Sequence, residues 1–241
     1  RYYKMIPLVK YLPIILYHLI TTPTIMNMKK LSMALTTLFG IGLLIFNSCG
    51  TVPITGRRQL NLVSDGEILA ASATQYRQFI SKSQLSHNST YNNKVTQVGR
   101  RLAAATNIYL KQNGYESMLS TLSWEFNVVD SKQVNAFCMP GGKIVVYTGL
   151  LNLVGNGGHS DDELAAVMGH ELSHALAKHA NERISNQMLM QAGGQLLGAT
   201  VGSRSGMLSG ILKQAYGLGA QVGVLLPFGR KQEYEADKMG L

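Results

Sequence analysis

Two histidines separated by three residues constrain this chain most, because they lie in a segment that predicts one continuous helix. The segment opens with Ser-Asp-Asp-Glu at 160–163, which has the spacing of a capping box and places acids where the helix dipole favours them. Residues four apart share a helix face, so His170 and His174 should present both imidazoles to one point. The helix is predicted to run past His179, which lies off that face and is expected either to support the site from behind or to lie on the surface.

Glu171 completes an H-E-x-x-H pattern with those histidines. It lies about 100° round the helix from His170, close enough to act on a water at the shared point without being a ligand itself. Zinc accepts nitrogen and oxygen ligands tetrahedrally, and a catalytic site leaves one position to water. The pattern therefore predicts one zinc ion per chain, which polarises a carbonyl while Glu171 takes a proton from water. The alternative is a chance arrangement on a surface helix, which the apolar residues along the same helix disfavour.

A third protein ligand is expected among Glu233, Glu235 and Asp237, in a predicted C-terminal helix. Positions two apart on a helix point about 200° from each other, so only one of the two glutamates can face the histidines. Glu233 and Asp237 are four apart and share a face, so one can bind zinc while the other orients a histidine through its free ring nitrogen. Glu235 has no such companion and is expected to point elsewhere. The alternative is a solvated, acidic helix start.

The N-terminal part of the sequence predicts export and a lipid anchor. Residues 1–27 are apolar but interrupted by prolines, and are expected to be an upstream extension outside the fold. In residues 28–48 a methionine and two lysines precede an apolar run too short to span a membrane, an arrangement that resembles a lipoprotein signal peptide. Lipidation of Cys49 would then anchor the protein; an ordinary cleaved signal peptide and an uncleaved anchor are the alternatives. Residues 49–63 are predicted to be a tether, and residues 64–241 the peptidase domain.

Periodicity predicts an α+β fold that is mainly helical. Two helices are expected, over residues 64–81 after a second capping box and over 92–112. Strands are predicted at 121–128, 134–139 and 143–148, the last two joined by a Pro-Gly-Gly turn. A small sheet should therefore pack against the H-E-x-x-H helix.

Charge and glycine content limit the remaining possibilities. The net charge of +9 is concentrated before Cys49, where five cations and no acid occur; 17 cations against 13 acids remain after it, without a dense basic run. Nucleic-acid binding is therefore not expected. The glycine-rich segment 187–224 is interpreted either as a mobile or membrane-leaning helical hairpin over the cleft or as core helices packed through small residues.

Four separated signatures together resemble the HtpX, Ste24 and Oma-type zinc peptidases, family forty-eight of the metallopeptidases. The signatures are Thr55-Gly56-Arg57-Arg58-Gln59-Leu60, Asn135-Ala136-Phe137 with Pro140-Gly141-Gly142, the H-E-x-x-H helix, and Arg230 with the acidic run from Glu233 to Asp237. The resemblance spans roughly residues 49–241 and is closest in layout to bacterial lipoprotein members. It implies a gluzincin fold with a small sheet.

The resemblance also implies roles for individual residues. Glu233 would be the third zinc ligand, and Asp237 the partner of a ligating histidine. Asn135, Ala136 and Phe137 would form an edge strand on which an extended polypeptide substrate pairs as an added strand; a plain edge strand is the alternative. The family continues beyond the end of this sequence, so residues that stabilise the oxyanion are expected in a C-terminal part that is absent here.

These observations predict a membrane-tethered zinc metalloendopeptidase. Its substrates would be misfolded or misassembled envelope proteins, and it would lie on the bacterial outer membrane facing the periplasm. The alternative is a chaperone or assembly factor that holds clients in the same cleft with little hydrolysis. The presence of Glu171 favours the peptidase.

Overall fold

The computed structural model describes residues 49–154, 160–195, 204–216 and 229–240, together with Ser32 and Thr36. The chain divides into two compact units, Arg1–Asn47 and Ser48–Leu241. In the first unit, the Thr36 hydroxyl donates a hydrogen bond of 2.6 Å to the Ser32 carbonyl. The predicted extension and signal peptide otherwise fall outside the described residues. Among the helices that are described, none combines the length and the apolar character that crossing a membrane requires.

The second unit is mainly helical with two small sheets, which confirms the predicted α+β class. In chain order its described elements are β1 (Cys49–Thr51), β2 (Arg58–Leu60), α1 (Asp65–Lys82), α2 (Ser89–Gln112), α3 (Glu116–Leu119), β3 (Glu125–Val129), β4 (Ala136–Met139), β5 (Lys143–Tyr147), α4 (Thr148–Val154), α5 (Ser160–Leu176), α6 (His179–Gln195), α7 (Arg204–Ala215) and α8 (Arg230–Gly240).

The capping signals locate the starts of α1 and α2. The Ser64 hydroxyl accepts from the Glu67 amide at 3.3 Å, and the Glu67 carboxylate accepts from the Ser64 amide at 3.1 Å, which is the predicted capping box. Helix α2 begins at Ser89, three residues before its predicted start, because the Asn88 side chain accepts from two amides of the first turn at 3.0 and 3.2 Å.

The three-stranded sheet packs against α5, as predicted. Its order is β3-β5-β4, with β3 parallel and β4 antiparallel to β5. Alternate residues of β4 and β5 enter two different cores, as the period of two requires. Phe137 and Val145 pack with α1, α6 and α7, whereas Cys138 and Ile144 pack with α2 and α5. Because β4 is the last strand in this order, it lies at an edge of the sheet, and one of its faces packs against α5.

The predicted tether at 49–63 is folded in the structure. Strands β1 and β2 form an antiparallel hairpin that pairs Cys49 with Leu60. Val52 and Val63 are buried, and the Leu62 amide donates to the Ser185 hydroxyl on α6 at 2.8 Å. The segment is ordered because its few apolar residues enter the core, although strands of three residues are too short to show periodicity.

The prediction of one helix running past His179 is wrong. Helix α5 ends at Leu176, and α6 begins at His179. Between them, Lys178 has a φ of 54°, in the left-handed region that non-glycine residues seldom adopt. This residue ends α5 and redirects the chain.

Helix α7, which lies within segment 187–224, belongs to the core, whereas Leu189 and Met190 of α6 are exposed. Leu208, Ile211 and Leu212 of α7 are buried in the cluster that includes α1 and α6. This arrangement is the second of the two interpretations, that of ordinary core helices. Residues 196–203 and 217–228 lie outside the described residues.

Candidate metal centre

Helices α5 and α8 approach each other closely through two glycines. A Cβ built on Gly169 would lie 2.7 Å from the Gly240 carbonyl oxygen, and one on Gly240 would lie 2.7 Å from the His170 amide nitrogen. Only residues without a side chain permit this contact between backbones. The packing places the acids of α8 beside the histidines of α5.

Three side chains converge at this contact, His170 and His174 from α5 and Glu233 from α8. The two Nε2 atoms are 3.1 Å apart, and Glu233 Oε2 lies 3.4 Å from Nε2 of His170 and 3.8 Å from Nε2 of His174. One ligand atom from each residue lies within 4.8 Å of the others. Ligand atoms about 2.1 Å from a tetrahedral ion are roughly 3.4 Å apart, so both the spacing and the two-nitrogen, one-oxygen donor set fit zinc.

Burial and neighbouring charged groups shift the pKa values of His174 and Glu171. Burial, reinforced by the neighbouring His179 and His170, lowers the pKa of His174 to about 3, so its imidazole is neutral at physiological pH. Burial and the nearby Glu233 carboxylate raise the pKa of Glu171 to about 8. A divalent cation at the shared point would oppose this rise, because its charge stabilises both carboxylates.

Asp237 occupies the position that helical periodicity predicts for it. Its Oδ1 lies 2.8 Å from Nδ1 of His170, and Glu233, one turn earlier on the same face, contacts the other nitrogen of that ring. Because a carboxylate only accepts hydrogen bonds, Nδ1 of His170 carries the proton. Nε2 of His170 then presents a lone pair toward the shared point.

Glu235 points away from that point, as expected, and its partners come from other elements of the fold. It is 7 % exposed and its Oε2 accepts from Nε of Arg57 at 2.7 Å, while its Oε1 accepts from the Thr55 hydroxyl. Burial alone would raise the pKa of Glu235, but these hydrogen bonds and one from His179 hold it below its usual value. Periodicity within α8 gives no sign of partners from the β1–β2 hairpin.

His179 lies behind the site, which is the first of the two positions that the sequence left open. It is fully buried, with Nδ1 2.8 Å from Nδ1 of His174 and Nε2 2.9 Å from Oε2 of Glu235. The helix break at Lys178 turns His179 back toward the face that it would leave in a straight helix.

Comparison with known proteins identifies the family. The sequence pattern of peptidase family M48 matches residues 89–241. The chain belongs to peptidase family M48. This assignment confirms the resemblance that the four signatures carry, and it makes the chain a member of a metallopeptidase family.

Relatives within the M48 family come from mitochondria and from bacteria. The mitochondrial metalloendopeptidase OMA1 of Schizosaccharomyces pombe is 33% identical over 84% of this chain and 54% of its own length. The OMA1 of Arabidopsis thaliana is 40% identical over 54% of this chain and 24% of its own. The beta-barrel assembly-enhancing protease of Yersinia pestis is 32% identical over 49% of this chain and 24% of its own. The chain thus spans about half of the first relative and about a quarter of the other two.

Most of the segment predicted to bind substrate in this M48 member is buried: Asn135 is half-buried, and Ala136 and Phe137 are buried. Asn135 precedes β4, and its carbonyl accepts from the Tyr147 amide at 3.0 Å. The Phe137 side chain is buried against the rings of Phe79 and Tyr216, so it belongs to the core. In an antiparallel pair the bonded positions alternate, so the backbone groups of Ala136 point away from β5.

Proposed function

We propose that residues 49–241 form the catalytic domain of a membrane-tethered zinc metalloendopeptidase. His170, His174 and Glu233 would hold the zinc, and Glu171 would act as general base. The observation that carries this proposal is the convergence of the two histidines and Glu233 at spacings that fit a tetrahedral ion. Membership of the M48 family supports the same reading.

The catalytic work assigned to this chain's own residues is proton transfer and orientation. Zinc, when bound, would supply Lewis acidity toward a carbonyl and lower the pKa of water. The Glu171 carboxylate takes the proton of the attacking water and then donates it to the leaving amine. Glu171 directly follows His170 on α5, so its carboxylate lies beside the point where the metal and its water would bind. Asp237 holds the ring of His170 in place.

The edge strand β4 supports an extended polypeptide as the substrate. The amides and carbonyls of Ala136 and Cys138 point away from β5, but both residues are buried, so an added strand would pair here only once the segment that covers this edge moves aside. Cys138 lies close enough to Glu171 that the carboxylate contributes, after burial, to raising the pKa of the thiol. A peptide paired at this edge would therefore pass beside the general base.

For location, we propose a lipid anchor at Cys49 in a bacterial envelope, with misfolded or misassembled envelope proteins as substrates. The lipoprotein-like signal at 28–48 supports the anchor. A bacterial relative named for enhancing β-barrel assembly supports the class of substrate. Expressed in bacteria, the protein should incorporate a clickable palmitate, and Cys49→Ala should abolish labelling. Labelling that survives the substitution would refute lipidation at this residue.

The proposed activity is tested by casein degradation in wild type and Glu171→Gln, with zinc content measured in both. Glu171→Gln should retain about one zinc per chain and lose proteolysis, since the residue is a base and not a ligand. Glu163→Gln, an exposed position in the first turn of the same helix, is the matched control and should keep full activity. Equal proteolysis in wild type and Glu171→Gln would refute the mechanism. Suppression of client aggregation by both, without cleavage, would support the chaperone alternative.

A further inference from the structure

A line of buried side chains leads away from His174 to the N-terminal hairpin. Nδ1 of His174 lies 2.8 Å from Nδ1 of His179, and Nε2 of His179 lies 2.9 Å from Oε2 of Glu235. The same Oε2 accepts from Nε of Arg57 at 2.7 Å. Arg57 is held in turn by Glu182, whose two oxygens accept from the guanidinium at 2.7 and 2.9 Å.

The hydrogen bonds of this line define where each proton lies. Glu235 faces the guanidinium of Arg57 and the hydroxyl of Thr55, both donors, so it is a carboxylate that accepts from His179 Nε2. In an imidazole that donates through one ring nitrogen the other nitrogen can accept, so His179, which donates to Glu235 through Nε2, is placed to accept through Nδ1. The proton between the two rings therefore belongs to Nδ1 of His174, and Nε2 of His174 is left with its lone pair directed at the candidate metal site.

The contact between His174 and His179 depends on a residue with a strained backbone conformation, Lys178. In a straight helix, a residue five positions after His174 would lie about 140° away from it. The left-handed Lys178, with φ of 54°, breaks the helix and returns His179 to the ring of His174. A non-glycine residue in this region is strained, and such residues concentrate at functional sites.

We propose that His179 is a positioning residue for the metal centre, fixing the tautomer and the ring orientation of His174 through the carboxylate of Glu235 and the guanidinium of Arg57. The inference rests on the proposed metal site at His170, His174 and Glu233, and is independent of the substrate. It gives Arg57, 178 positions away from Glu235 in the sequence, a part in metal binding. Loss of such a partner typically lowers metal affinity about 10- to 100-fold.

The test compares His179→Leu, which removes both hydrogen bonds, with His179→Gln, whose amide can accept from His174 and donate to Glu235. Zinc affinity is measured by competition with a chromophoric chelator, and the visible absorption of the cobalt-substituted protein reports the ligand geometry. His179→Leu should lose about 10- to 100-fold in zinc affinity and change the cobalt spectrum. His179→Gln should recover part of both.

Ser185→Ala is the matched control on the same helix, because it removes a buried hydrogen bond to the Leu62 amide without touching the line. It should lower the unfolding temperature and leave zinc affinity unchanged. If His179→Leu fails to fold, Glu235→Gln decides by the same two measurements, since it keeps the volume and removes the charge. Wild-type zinc affinity and cobalt spectrum in either folded variant would overturn the proposal.

Failure of the proposed function is distinguishable from failure of this inference. A wild-type protein that binds zinc without degrading casein would refute the peptidase activity, and the affinities of the variants would still decide the role of His179. A wild-type protein that binds no zinc would refute both.

Discussion

Replacing Gly169 by alanine should weaken metal binding by separating the two helices that form the site. The added methyl carbon would lie 2.7 Å from the Gly240 carbonyl oxygen, where a normal contact is about 3.5 Å, so α8 must retreat by roughly 0.5 to 1 Å. Metal–ligand distances tolerate only about 0.2 Å, and α8 carries both Glu233 and Asp237. We expect zinc affinity to fall about 10- to 100-fold, as with other losses of support to a ligand.

The stability of the same variant reflects two opposed effects. Overpacking costs about 1–3 kcal/mol, whereas alanine is favoured over glycine inside a helix by about 0.5–1 kcal/mol. The metal-free protein should therefore be destabilised by about 0–2.5 kcal/mol in urea unfolding. Gly210→Ala on α7 is the matched control, because nothing lies within 4 Å of a Cβ built there. It should gain about 0.5–1 kcal/mol with no change in zinc affinity.

The two glycine variants together test whether the close contact of α5 with α8 places Glu233 at the metal site. If Gly169→Ala binds zinc as tightly as wild type and is stabilised as much as Gly210→Ala, the close contact of α5 with α8 does not place Glu233. Chelator competition and urea unfolding on both proteins supply the required numbers.

Three further predictions concern the fold around the site. Ser64→Ala removes the hydroxyl that accepts from the Glu67 amide in the capping box on α1 and should lower the free energy of unfolding by about 1 kcal/mol, measured in urea. Equal stability would show that this hydrogen bond contributes nothing. Burial raises the pKa of Tyr76 to about 12, against a hydrogen bond from Asn127 that lowers it. As the pH rises, the tyrosine of the unfolded chain therefore loses its proton before that of the folded protein. The contribution of Tyr76 to the free energy of unfolding is complete below pH 10 and is lost as the pH rises to 12. Tyr76→Phe should make the free energy of unfolding fall less steeply over this range in urea unfolding. Cys138 is fully buried with a raised thiol pKa, so in a Cys49→Ser background it should resist a thiol reagent until urea unfolds the protein.

Local patterns predicted most of the fold because their causes are local. The capping box at Ser64 and the alternation of the strands act within one element, and each located that element to within a few residues. The pairing of Glu233 with Asp237 was likewise available from helical periodicity, and the structure brings both to His170. Where the physical cause lies within one turn or one strand, the sequence is sufficient.

Contacts between distant segments were not predictable in the same way. Lys178 is neither glycine nor asparagine, so nothing in the sequence marks the left-handed residue that ends α5 and buries His179. The partner of Glu235 is Arg57, which belongs to a hairpin whose strands are three residues long. Periodicity within one helix therefore could not reveal the contact of Glu235 with Arg57, and the segment that forms the hairpin was predicted to be a tether.

The folded hairpin has a consequence for reach. Cys49 is paired with Leu60 in a hairpin that is fastened to the domain through Arg57 and Val52. If Cys49 carries the proposed acyl chains, they would be attached to a residue of the folded hairpin, so the domain would lie close to the bilayer instead of at the end of a flexible tether.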